Sequence, residues 1–180
     1  MWAKIESNSV AKVYTRPTAI TVGDINYPQN IFSLWTEAEL NAVGIYSITM
    51  DSTNAKSERY YTNTDVTYTW DSDNETVTGA YGIATAQDLD DLKTDKKEQA
   101  NNNAKGFLSD YDWYTLRAAS GGTAIPSAVA TYQAAVRTKA NSMCTQIDAA
   151  ADVDALAALY AYNTDDPPTR PLGEWPSKPS

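Results

Sequence analysis

The chain has 180 residues, 14 basic against 23 acidic side chains for a net charge of −9, and no histidine. That length holds one ordinary domain or two small ones, and a content of 42% hydrophobic and 11% aromatic residues excludes wholesale disorder. The missing imidazole removes the commonest general base and the usual Ser–His, Cys–His and His–metal arrangements. A single cysteine, Cys144, excludes an internal disulfide and a Cys-only metal site; at helical spacing among apolar residues, it is expected to be a small buried hydrophobe. Counterion release from nucleic acid needs clustered cations, and the only cluster, Lys93, Lys96 and Lys97, is embedded among Asp90, Asp91, Asp95 and Glu98. No nucleic-acid partner is expected. No apolar run approaches the ~18–20 residues of a membrane span, and Met1–Glu6 lacks the apolar stretch of a signal peptide. A soluble protein made in a cytoplasm, with no membrane partner, is expected.

Residues 1–30 alternate in short period-2 runs broken by Asn8, Pro17, Gly23-Asp24 and Pro28, which predicts two or three strands with tight connections. The apolar lead Ile31–Trp35 runs into Thr36-Glu37-Ala38-Glu39, the spacing of a capping box. A helix over Glu37–Val43 follows, closed by Gly44 as a left-handed cap. Ile45–Met50, Arg59–Asn63, Val66–Trp70 and Thr76–Ile83 are rich in Thr, Tyr and Val, predicting an antiparallel sheet with a hairpin turn at Asp71–Asn74.

At Thr85 the period changes. Thr85 and Asp88 are read as a second cap, opening a long helix to residue 108 with a thin stripe of Leu89, Leu92, Ala100, Ala104, Phe107 and Leu108. Lys96 interrupts that stripe, and Asn101–Asn103 is poor helix material. A solvated strut, or half of a coiled coil whose partner lies outside the chain, is expected. Pro126 suits the first turn of the next helix, on which Val129, Tyr132, Val136, Met143 and Ile147 make a clean stripe. Asp152 is expected to cap a last helix bearing Val153, Leu156, Leu159 and Tyr160. From Asn163 the chain turns Pro-rich, which favours extended structure without regular hydrogen bonding.

Three constellations could carry chemistry, and each has a plainer reading. Asp110 and Asp112 flank Tyr111 as a carboxylate pair, but at a helix start such residues cap N–H groups. Asp71, Asp73, Asn74 and Glu75 resemble calcium-loop oxygens, yet Thr76 and Gly82 stand where that motif needs glycine and an acidic residue; a solvated hairpin tip is expected. Gly121-Gly122 lacks a following lysine or a GxGxxG pattern, so it reads as a helix stop. No catalytic residue, metal ligand or cofactor is expected. The aromatic side chains, five Trp and twelve Tyr, are of the kind enriched at protein interfaces. Candidate partner-binding residues are therefore Trp113, Tyr114, Leu172 and Trp175. Trp113 and Tyr114 are also expected to pin the connection between two helices. Leu172 and Trp175, three apart on one side of a polyproline-like tail, are expected to bury against another chain.

Residues 107–136, FLSDYDWYTLRAASGGTAIPSAVATYQAAV, set Asp112-Trp113-Tyr114 before Arg117, a Gly-Gly break, Pro126 and Tyr132. This segment resembles the "tDW…R…g…iP…va.yr.alR" stretch of tailed-bacteriophage tail-fibre assembly proteins and related small tail accessory proteins, and Tyr27–Tyr46 resembles the front end of small phage tail proteins. The resemblance implies a chaperone-like binding protein, not an enzyme. It would hold part of a trimeric tail fibre, in the host cytoplasm during assembly. The alternative is a permanent structural component retained in the virion tail on fibre or baseplate, which the extension over 148–180 favours. A fibre-associated depolymerase, which needs a carboxylate pair in a groove, is a distant third. A homo-oligomer is compatible with either leading reading. The fold class expected is α+β: a β-rich antiparallel part over 1–84, a connecting helix over 85–108, a helical part over 109–162 and an extended tail over 163–180.

Overall fold

A computed structural model describes residues 1–179 and has the expected α+β class, with a sheet-rich N-terminal part followed by helices. It divides into two compact units, Met1–Thr85 and Ala86–Ser180.

In the first unit, β1 (Trp2–Glu6) and β2 (Ser9–Tyr14) form a hairpin through Ser7 and Asn8. Both turn residues take positive φ, 49° and 60°, the backbone twist a two-residue hairpin requires. A second hairpin joins β3 (Ile20–Val22) and β4 (Ile25–Tyr27). The apolar lead that follows is itself a turn of helix, α1 (Ile31–Leu34), before α2 (Glu37–Ala42). The capping box forms as expected: the Glu39 N–H donates to the Thr36 hydroxyl at 3.3 Å and the Thr36 N–H to the Glu39 carboxylate at 2.7 Å. The Thr36 N–H first, and then the Thr36 hydroxyl, which donates to the same carboxylate at 2.8 Å, hold the Glu39 carboxyl below its ordinary range. Gly44 closes the helix with φ 77°. Tyr14, Ile20, Ile31, Phe32, Leu40 and Ile45 are buried together in the core, with Trp2 packed on Phe32 at 4.7 Å between ring centres.

The remaining strands are β5 (Ile45–Asp51), β6 (Tyr61–Thr62), β7 (Val66–Asp71) and β8 (Thr76–Tyr81). The main sheet runs β2-β1-β5-β8-β7. Here an expectation needs correcting, because β5 and β8 pair in parallel. After β5 the chain passes one strand position, descends as β7 and returns as β8 into the gap. The predicted hairpin thus inserts with its second strand inward. Val77, on β8, is fully buried, whereas β7 at the outer position alternates half-buried Val66, Tyr68 and Trp70 with exposed neighbours. The more apolar contact surface takes the central place. At the hairpin tip Asp71 turns inward on its own loop, accepting from the N–H groups of Asp73 and Asn74 at 2.9 and 3.2 Å and from the Asn74 amide at 2.8 Å. These bonds hold its carboxyl below the ordinary range. The outer strands β2 and β7 also approach each other, and the Trp70 indole N–H donates to the Asn8 side chain at 3.1 Å.

In the second unit, Asp88 alone caps α3 (Leu89–Ser109), accepting from the N–H groups of Asp90 and Asp91; Thr85, the last residue of the first unit, lies in a short strand, β9 (Thr85–Ala86). The helix is neither a strut nor half of an intermolecular coil. Its thin stripe of Leu92, Ala100 and Ala104 is buried as α3 packs on α5 (Ser127–Ala149). Lys97 pairs with the Asp148 carboxylate at 2.7 Å, and Lys93 donates to the Asp148 carbonyl at 3.0 Å. Because small residues face α5, a thin stripe suffices. On α5, Val129, Tyr132, Val136, Met143 and Ile147 are all buried, as their spacing predicts. Cys144 is half-buried rather than buried, its thiol 3.9 Å from the Asn101 side-chain oxygen. Asp152 caps α6 (Val153–Ala158) by accepting from the Ala155 N–H at 2.7 Å. Among the described residues no helix is long and apolar enough to cross a membrane.

Candidate protein-binding surface

The segment singled out in the sequence builds α4 (Asp112–Ala119) and the turn into α5. Trp113 and Tyr114 lie ring to ring at 3.9 Å, tilted by 33°. The Arg117 guanidinium sits over both, 4.7 Å from the Trp113 ring centre and 5.2 Å from that of Tyr114. Its other edge donates to the carbonyls of Thr123 and Ala124 at 3.2 and 3.3 Å. One cation therefore ties the aromatic pair to the loop that leads to Pro126, the residue preceding α5. The two glycines are required by this geometry. Gly121 has φ 81°, and a Cβ on Gly122 would stand 2.9 Å from the Arg117 Cγ and 3.0 Å from its carbonyl oxygen. Behind Tyr114, Tyr111 and Tyr132 pack edge to face at 5.3 Å. Tyr132 is buried and its hydroxyl has no hydrogen-bond partner among the described residues; burial first, and Tyr111 second, push its phenol up.

Trp113 is not the core anchor its place between helices suggests. It is 52% exposed, and Leu116, one turn on, is 68% exposed. Two exposed apolar side chains, one of them under a guanidinium, thus stand on the outside of α4. Leu116 was missed in the sequence. Its spacing of three from Trp113 was a legible signal, but on an eight-residue helix either face could have been the buried one.

The two carboxylates flanking Tyr111 separate. Asp110 pairs with Lys178 at 2.7 Å, and Asp112 stands in the first turn of α4 without a side-chain cap bond. Neither makes the expected cap, because Asp110 belongs to the end of α3.

Leu172 and Trp175 also correct the sequence reading. Leu172 is 3% exposed within its own helical unit. Its N–H donates to the Leu159 carbonyl at 3.0 Å, and its carbonyl accepts from Lys139 Nζ at 2.7 Å. Trp175 packs on Phe107 at 5.2 Å, beside the buried cluster of Ala104, Tyr132, Val136 and Ala140. The tail is a strap across its own unit. A short extended segment cannot enclose a side chain by itself, but α3, α5 and α6 already supply the walls.

On α3 and α5, Ala104, Leu108 and Ala140 floor an open groove of about 440 Å³, whose polar rim includes Lys105, Arg137 and Asp112. The groove exists because alanines face each other where larger residues would meet. Comparison of the chain with family models, with curated proteins and with solved structures finds no match.

Proposed function

We propose that this chain is a chaperone-like binding protein of phage tail-fibre assembly, which holds a fibre region through the exposed face of α4. The observation that supports a binding role is the pair of Trp113 and Leu116 on α4, half or more of each exposed, with Arg117 seated over the Trp113 ring. Burying such side chains against a partner gains roughly 1.5–3 kcal/mol each, and Trp and Arg are the residue types that dominate interface energetics. The assignment to tail fibres rests on the resemblance of residues 107–136. β-rich fibres present unpaired edges while folding, and such edges aggregate.

The test is co-expression of the chain with the C-terminal region of a trimeric tail fibre, followed by affinity capture. Capture of the fibre by the unaltered chain, lost on combining Trp113→Ala with Leu116→Ser, is the expected result. Equal capture by the double variant removes α4 as the contact, and no capture at all removes the function. Mass spectrometry of purified particles separates a transient holder, which is absent, from a structural component in fixed ratio.

A further inference from the structure

The charges of the helical unit point to a ligand for the α3–α5 groove. Acidic groups outnumber basic ones across the chain, so cations find partners easily. Lys97, Arg170 and Lys178 pair with carboxylates. Lys93, Lys139 and Arg117 donate to backbone carbonyls, and Lys96 sits over the Tyr160 ring. Two cations of this unit remain, Lys105 and Arg137, and neither has a hydrogen bond or ion pair among the described residues. Both line the same groove, one from α3 and one from α5.

Between them the floor is apolar, with Ala104 and Ala140 at 7% and 5% exposure, and the side chains of Asn101 and Asn141 lie along the rim. Among the described residues Asp112 is the only carboxylate lining the groove, which leaves them one net positive charge there. That balance suits a single carboxylate on an apolar stem and disfavours a polyanion. Arg binds carboxylate in a planar, two-point fashion and Lys as a point charge.

We infer that this groove binds an extended acidic peptide segment of a partner protein, placing one Asp or Glu carboxylate between Lys105 and Arg137 and an adjacent aliphatic side chain on the Ala104–Ala140 floor. The inference rests on the proposed binding role only in taking the partner to be a protein. It adds the partner's chemistry: acidic and aliphatic residues side by side in an unfolded or extended stretch.

The full chain, labelled with ¹⁵N, is titrated with the capped pentapeptide Ala-Leu-Glu-Leu-Ala and with its Gln counterpart. Amides of residues 101–108 and 137–141 are expected to shift saturably with the Glu peptide. The Gln peptide should bind at least about five-fold more weakly, as should the Glu peptide at ~0.5 M salt. Lys105→Gln and Arg137→Gln, both at exposed positions, should each weaken binding while shifting only amides near the substitution in the free protein. Ala140→Leu, which fills the floor, should abolish it; if that variant is misfolded, the two charge variants decide alone. Equal binding of Glu and Gln peptides, or binding indifferent to both charge variants, overturns the inference. So does a glucuronate oligosaccharide that shifts the same amides at lower concentration, or concentration-dependent self-association through this groove. Fibre capture that survives both charge variants sinks the groove but leaves the α4 reading standing. Peptide binding without fibre capture does the reverse.

Discussion

Replacing Leu172 with alanine measures how far the strap belongs to the helical unit. The side chain is 3% exposed and its backbone is fixed on both sides, by Leu159 and Lys139. Truncation of a buried leucine costs about 2.7–5 kcal/mol in a rigid core, rising with the void that remains. Leu172 already borders a small gap of about 70 Å³, lined by Ala100, Met143 and Tyr160 among others, so atoms nearby have space to resettle. Its own segment is a surface strap that can move inward. Both features place the cost at the low end, roughly 2–3 kcal/mol. For a unit of this size, that lowers the melting temperature by roughly 8–24 °C. Urea unfolding followed by helical circular dichroism gives the free energy. Deleting 164–180 should cost at least as much, since it also removes the Lys178–Asp110 pair and the Trp175 contact. A loss below ~0.5 kcal/mol for Leu172→Ala, the range of neutral surface changes, would show that the strap does not hold this position in solution and would refute the reasoning.

Trp113→Ala should cost only about 0.5–1.5 kcal/mol, the worth of its stacking with Tyr114 and Arg117 at an exposed site, as read by thermal melting; a loss above ~3 kcal/mol would place the indole in a core. Gly79→Ala puts a Cβ 2.8 Å from Met50 Sδ and 2.9 Å from a Tyr68 ring carbon, so roughly 1–3 kcal/mol of destabilisation by overpacking is expected in urea unfolding of the N-terminal unit. Thr36→Ala, which removes half of the capping box, should cost that unit about 1 kcal/mol in the same assay. Asp71 and Glu39 have folded-state values below the ordinary range, so their contribution is present above ~4 and is lost as pH falls through the lowered folded values. Asp71→Ala should therefore flatten the acid limb of the urea midpoint against pH, and an unchanged limb would show that the hairpin-tip bonds contribute nothing.

Local rules carried the sequence reading furthest. The Thr36–Glu39 box, the Asp152 cap, the Asp71–Asn74 turn and the α5 stripe each depend on residues within a few positions, and the structure has all four. What failed depended on partners far along the chain. Pairing of β5 with β8 required knowing that Val77 takes a central place and Trp70 an outer one. The strap required knowing that Ala100, Met143 and Tyr160 leave a socket for Leu172. The α3–α5 groove was illegible for the same reason: Lys105 and Arg137 are 32 positions apart in sequence, and only the helix pairing brings them to one rim. Trp113 shows the converse error, since an aromatic next to a helix boundary has the same local signature whether it faces inward or outward.

The curl of the N-terminal sheet has a consequence for how this chain can touch anything else. Its two outermost strands, β2 and β7, turn toward each other, with Trp70 bridging to the β1–β2 turn at Asn8. On a flat sheet such outer strands would lie far apart, each with a row of open backbone groups that invites a foreign strand to extend the ladder; here they lie close to each other. On the proposed reading, outer strands that turn toward each other suit a protein that stands beside a folding β-rich fibre, because they are poorly placed to be drawn into its sheets. On that same reading the contact is made by side chains such as those on α4, and a partner held in that way can be let go.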